Sequence, residues 1–138
     1  MLQPRPPSFF APYRRELPAH VKGALGMKAC GAVAAIVLSA VLLFAFADPS
    51  RWPLGMTSEI AHRFASYALL AALASVGEIL GVVITWSRKR AGFYLLVGAS
   101  MIGFVFRLAG DDRIGAALSI GVTLIVGLFV TMRWSDFE

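Results

Sequence analysis

A chain of 138 residues that is 58% hydrophobic and only 15% charged, with a mean hydropathy of +0.73, does not read as a water-soluble domain. A soluble domain of this size carries about 25% charged residues and hides only about two-thirds of its surface, so a bilayer is the natural home for so much apolar side chain. The net charge of +5 would suit a nucleic-acid partner on a soluble protein, but the placement of the cations explains it without one, and no nucleic-acid partner is expected.

Residues 1–28 form a basic leader whose first part, with Pro4, Pro6, Pro7, Pro12 and Pro18, is extended and non-helical. Phe9, Phe10 and Tyr13 interleave with Arg14 and Arg15, a mix that lies against anionic headgroups, docks on a partner subunit or stays a partly disordered tail. Residues 19–28 can form a short interfacial helix leading into the first span. The first apolar run covers 29–47. It ends in Ala45-Phe46-Ala47 after a basic leader, like a signal peptide, but it exceeds the roughly 7 to 15 residues of an apolar signal region and is read as a true span. Cys30 excludes an internal disulfide, being the sole cysteine.

Asp48-Pro49 ends that helix, and Trp52 in the following loop is an interfacial anchor. Ser58 is the expected N-cap of the second helix, with Glu59 in its first turn. The helix to Trp86 is about 42 Å long at 1.5 Å per residue, so it tilts or projects beyond the ~30 Å hydrocarbon slab. The span proper is placed at 60–86. "SRKR" at 87–90 is long enough only for a tight hairpin, as is "GDDR" at 110–113. Between them runs a span at 91–110, and after them one at 114–132. Asp111 or Asp112 caps the last helix. Each run has the roughly 17 to 25 apolar residues a crossing needs, and lipid forces each to be helical.

The cations then fix orientation. Arg5, Arg14, Arg15, Lys22 and Lys28 precede the first span, Arg88, Lys89 and Arg90 lie between the second and third, and Arg133 follows the fourth. Arg51, Arg63, Arg113 and the embedded Arg107 fall on the other side. Lys and Arg collect on the cytoplasmic face, so the expected fold is an all-α, antiparallel four-transmembrane-helix bundle with both termini cytoplasmic, in a bacterial-type inner membrane.

"TWSRKRAGFYLLVGASMIGFVF" and the Gly-rich span ending in "MRWSDFE" resemble small bacterial four-span membrane proteins with a basic hairpin, an aromatic start to the third span and a Trp after the fourth. The resemblance covers the C-terminal half and implies fold and location; it implies no activity, and the Pro-rich leader is not part of it.

Small residues recur at four-residue spacing in every span, as close helix packing in lipid requires. Gly31, Ala35 and Ser39 do so in the first helix and Ala71 and Ser75 in the second. Gly77 and Gly81 follow in the second, Ala99 and Gly103 in the third, Ala117 and Gly121 in the fourth. These are expected to be the packing faces of the bundle, with any face left over available to another chain.

The chemistry concentrates on Glu78, about 12 Å from the cytoplasmic end of its helix and so near the midplane. An uncompensated charge there costs at least ~2.5 kcal/mol, so the carboxyl is either neutral, able to donate one hydrogen bond, or paired with a cation. By residue count Ser39, Ser100 and Thr123 sit near the middle of their spans, which predicts a polar layer of Ser39, Glu78, Ser100 and Thr123. Arg107, nearer the outer end of its span, either snorkels outward or reaches in to Glu78.

Enzymatic machinery is not in evidence. His20 and His62 fall on opposite sides, no thiol cluster suggests zinc, and no G-x-S-x-G, Walker A or G-x-G-x-x-G is present; no catalytic residue, cofactor or metal site is expected. The expected function is that of an accessory, assembly or regulatory subunit packed against a larger membrane protein or against itself. The alternative is a small proton- or ion-coupled transporter or channel built on Glu78.

Overall fold

Several polar and charged side chains lie inside this protein, and many large apolar ones lie outside. In the computed structural model, which describes residues 16–137, the buried set includes Lys28, Ser39, Ser75, Glu78, Thr85, Ser100, Ser119 and Thr123, while Val37, Val41, Phe44, Leu73, Val83, Leu118 and Leu124 are each more than half exposed. Water does not tolerate that arrangement, whereas lipid solvates the outer side chains and leaves the interior to hydrogen bonds and close backbone contact. Phe9, Phe10, Tyr13, Arg14 and Arg15, the expected surface or partner contacts, lie outside the described residues.

Four helices carry the described chain: α1 (Ala19–Ala47), α2 (Ser58–Trp86), α3 (Arg90–Ala109) and α4 (Arg113–Thr131), with 3₁₀ turns at Pro49–Arg51 and Trp134–Asp136. All four are long and apolar enough to cross a membrane. Helix α1 runs unbroken from Ala19, so residues 19–28 are its first turns and not a separate segment. Thr57, one residue before the expected Ser58, caps α2 by accepting the Ile60 N–H at 3.3 Å. Asp112 caps α4 by accepting the Gly115 N–H at 2.9 Å. The two tight links each place one non-glycine residue in left-handed backbone, Arg88 (φ 62°) and Asp111 (φ 61°).

The closest helix pair is α2 with α3. A Cβ added to Gly81 would lie 2.6 Å from the Leu96 backbone nitrogen, and one on Gly77 3.0 Å from the Ala99 Cβ. Gly103 meets the Ala74 Cβ at 3.3 Å on the same measure, and Gly92 packs on the backbone of Ile84 and Thr85. Gly77, Gly81, Ala99 and Gly103 therefore form the close contact expected of them. Ala117 and Gly121 do not: Ala117 is exposed, and nothing among the described residues lies within 4 Å of a Cβ on Gly121. The inward face of α4 is instead Ala116, Ser119, Thr123, Val126 and Val130. The 3.6-residue turn puts this run on one stripe, one position round from the small-residue pair.

The apolar core is confined to one end. Leu17, Val21, Ala24 and Leu25 pack with Val82, Leu96, Val126, Val130 and Phe137. Trp134 extends this plug, ring against ring with Phe93 (5.7 Å) and Tyr94 (5.8 Å), with the Arg90 guanidinium 5.2 Å from its centroid. At the other end α1 keeps only Ser39 buried beyond Ala32 and touches α2 through stacked Phe46 and Phe64 rings, 6.0 Å apart. The Trp52 indole N–H donates to the Phe46 carbonyl there, at 3.2 Å.

Candidate functional site

Val21, Leu25, Lys28 and Ala32 follow one another at helical spacing on the buried stripe of α1. Lys28 is thus carried into the bundle by the same face that builds the core. It lies nine residues into α1, about 13 Å from its start, and Glu78 lies eight residues from the end of α2, about 12 Å. The two meet at that depth.

Lys28 Nζ donates to Glu78 Oε1 at 2.8 Å, to Ser119 Oγ at 3.0 Å and to the Ser119 carbonyl at 3.3 Å. Ser119 Oγ in turn donates to Glu78 Oε1 at 3.2 Å. The three ammonium hydrogens are all placed, as a buried amine requires. The side chains of Lys28 and Glu78 are 3% and 4% exposed, so solvent does not screen this ion pair. Thr123 supports it indirectly, its hydroxyl donating to the Ser119 carbonyl at 2.7 Å.

The site therefore differs in composition from the expected polar layer. Glu78 and Thr123 belong to it. Ser39 is buried but lies eleven residues further along α1 than Lys28, on the wall of the adjoining cavity. Ser100 is buried with its hydroxyl unpartnered among the described residues. Arg107 does not reach Glu78; its guanidinium donates to the Gly115 carbonyl at 3.0 Å, tying α3 to α4. Lys28 and Ser119 are the two site residues that the sequence reading does not single out. Lys28 counts there as a leader charge because the uninterrupted apolar run starts one residue later. The signal that finds it is its 3–4 spacing from Val21, Leu25 and Ala32.

Above the pair, on the side away from the apolar plug, lies a cavity of about 670 Å³. Lys28, Glu78 and Ser119 border it at one end, Arg107 and Asp112 at the other, and Ala35, Leu38, Leu42, Phe64, Tyr67, Phe106 and Leu118 line it between. The charge pair thus borders a half-open, largely apolar cavity on one side and the buried apolar cluster on the other, a setting that can take up a small amphiphile or a proton. His20 is elsewhere, its ring edge-on to Phe129 at 5.1 Å, and no three of the described His, Cys, Asp and Glu residues come together. Cys30 is exposed on the outer surface. Comparison with protein-family models, with curated proteins and with solved structures finds no match for this chain.

Proposed function

We propose that this protein is a small, non-enzymatic multi-pass carrier of the inner membrane, in which the Lys28–Glu78 pair is the switch at the floor of a one-sided cavity. The observation that carries the reading is the conjunction of an almost completely buried ion pair with a cavity beside it that the helices leave unfilled, while the other side of the pair is packed with apolar side chains. A purely structural role explains the pair poorly. Well-packed apolar residues do as well or better than a buried ion pair for stability, and ionisable groups inside a membrane mark functional paths. Adding a proton to Glu78 leaves the Lys28 ammonium buried without a counter-charge, which destabilises this arrangement and favours one that opens the plug. Four contacts run in opposite sequence directions along α2 and α3, from Gly92 with Thr85 to Gly103 with Ala74. That order supports an antiparallel bundle. With the positive-inside distribution, the termini and the plug are cytoplasmic and the cavity opens outward.

Thiol labelling tests this without knowing the solute. In a Cys30→Ser background, Ala35→Cys reports the cavity and Val82→Cys the plug. We expect Ala35→Cys to react with an impermeant maleimide from the outside only. Val82→Cys reacts from the cytoplasmic side once the pair is broken by Glu78→Gln. A plug cysteine inert under every condition overturns the carrier reading.

A second reading, an accessory subunit, draws on one observation. Gly23 and Gly26 of α1 and Ala117 and Gly121 of α4 have no close neighbour within the bundle or stand exposed, leaving flat surface for another membrane helix or a second copy of this chain. Co-purification in mild detergent, abolished by Gly23→Leu, supports that reading; a monomer in native mass spectrometry removes it.

A further inference from the structure

Glu78 has a second oxygen that the ion pair does not use. Every hydrogen bond to this carboxylate from the described residues falls on Oε1. Oε2 is not among the sealed, unpartnered atoms either, since Ser100 Oγ is the one such atom among the described residues. Oε2 therefore keeps some accessible surface as an acceptor without a partner among the described residues, on a residue that is only 3% exposed and lines the cavity. Lys28 is the opposite case, because its three hydrogens are all engaged by Glu78 and Ser119.

We infer that the cavity takes an uncharged amphiphile: an apolar body of phenol or alcohol class, whose single O–H donates to Glu78 Oε2. This rests on the carrier reading of the same cavity and names its substrate class. Three features set the chemistry. Beside the ion pair the floor offers an acceptor and no spare donor, which disfavours a carboxylate or phosphate head at Glu78; the Arg107 guanidinium lies at the far end of the cavity, bonded to the Gly115 carbonyl. The Lys28–Glu78 pair is already neutral, so an ammonium head adds a third, uncompensated charge in a medium that penalises it heavily. The walls are mostly hydrocarbon, among them Leu38, Leu42, Phe46, Phe64 and Phe106, with Ser39, Tyr67, Arg107 and Asp112 the polar exceptions away from the pair, and about 670 Å³ falls within the roughly 300–1,000 Å³ of small-molecule sites.

The test is a matched series measured against the full chain in lipid nanodiscs, with empty nanodiscs correcting for partition into lipid. The probes are 4-heptylphenol, 4-heptylanisole, 4-heptylbenzylamine and 4-heptylbenzoate. Two quantities are read: binding by calorimetry, and the carboxylate stretch of Glu78 by infrared difference spectroscopy, assigned with Glu78→Gln. We expect 4-heptylphenol to bind saturably and shift the Glu78 band. The anisole, lacking the donor, binds about tenfold more weakly, as loss of one hydrogen bond to a charged acceptor implies, and leaves the band unmoved. Amine and benzoate bind more weakly still. Ala35→Trp, which fills the cavity without touching the pair, abolishes phenol binding and leaves the resting band in place. Equal binding of phenol and anisole, tighter binding of either charged probe, or no saturable binding at all overturns the inference. The thiol-labelling result stands apart from each of these outcomes: reactive plug cysteines with no phenol binding reject the substrate class and keep the carrier, and inert ones reject the carrier itself.

Discussion

Lys28→Met is the perturbation most sensitive to the site. It removes an ammonium whose side chain is 3% exposed and leaves the Glu78 carboxylate, 4% exposed, without its cation 2.8 Å away. Breaking a buried pair by deleting one partner costs about 3–5 kcal/mol, because the surviving charge stays desolvated; at 1.4 kcal/mol per factor of ten that is more than about a hundredfold in the unfolding equilibrium. Ser119 returns part of it, since its hydroxyl still donates to Glu78 Oε1, which places the expected loss near the lower figure, about 3 kcal/mol. The double variant Lys28→Met, Glu78→Leu removes both charges and fills their space with hydrocarbon, so it is expected to lie within about 1 kcal/mol of the parent or above it. Ser119 then turns its hydroxyl back to the carbonyl one turn earlier, as serine does in membrane helices. The assay is unfolding in mixed micelles with increasing SDS, followed by helicity, for parent, both single variants and the double. Unfolded chains in SDS let either charge reach water, so the desolvation cost appears in full. A coupling energy of at least about 2 kcal/mol is expected. A Lys28→Met loss below about 1 kcal/mol, with the two single effects adding to within about 0.5 kcal/mol, refutes the claim that these residues act as one desolvated unit.

Four further outcomes are expected. Gly81→Ala drives a Cβ to 2.6 Å from the Leu96 backbone and loses about 1–3 kcal/mol in the same SDS titration, whereas Gly23→Ala, with nothing within 4 Å, is neutral or gains up to about 1 kcal/mol from helix propensity. Removing the caps by Thr57→Ala or Asp112→Ala costs about 1 kcal/mol each, visible as faster amide exchange in the first turns of α2 and α4. Ser100→Ala deletes a buried hydroxyl with no partner among the described residues and is neutral or stabilising by thermal melting. The fully exposed Glu16 carboxyl is held below its ordinary value near 4.5 by the hydrogen bond and charge of Lys22, 2.9 Å away; a depressed carboxylate contributes above that ordinary value and loses its contribution as pH falls through the lower folded one, so NMR titration shows Glu16 protonating late and Lys22→Gln restores the ordinary midpoint.

How far the sequence carries is visible residue by residue. Hydropathy finds all four helices, because the bilayer sets a length that a single apolar run must meet. Proline at 49, the short links and the acid before α4 place every end to within a few residues except the start of α1, which lies at Ala19 and not at 29, and Asp112 caps as expected. Small-residue spacing marks the close contact of α2 and α3 at Gly77, Gly81, Ala99 and Gly103, but the same spacing at Ala117 and Gly121 marks none, because the pattern is common in apolar helices and does not say which face turns inward. The site itself was half readable. An acid at the midplane is conspicuous, but its partner is not, since hydropathy windows discard the charge that interrupts them and Lys28 stands at the edge of its run. Arg107 was weighed as the cation only because it lies inside a run. Depth by residue count also misplaces Ser39 relative to Glu78. A helix that starts at Ala19 has its middle elsewhere than one that starts at residue 29, and the error moves every level drawn across the bundle.

The unequal packing of the two ends bears on what the molecule can do. Toward the termini α1 is held by Val21, Ala24 and Leu25 in a core shared with all three other helices, and the aromatic cluster on Trp134 closes over it. Beyond Ala32 the same helix keeps one buried residue, one ring stack with Phe64 and the bond from Trp52. Lys28 stands at the boundary between the two regimes. A change in the charge of Glu78 is therefore felt where α1 passes from a firmly packed half to a loosely held one, the position at which a small energy moves the longest lever. Were the pair merely a fastener, it would be worth most at the cavity end, where α1 has little else to hold it. Its placement against the apolar cluster is the arrangement the proposed carrier needs, with the pair next to the packing it would release.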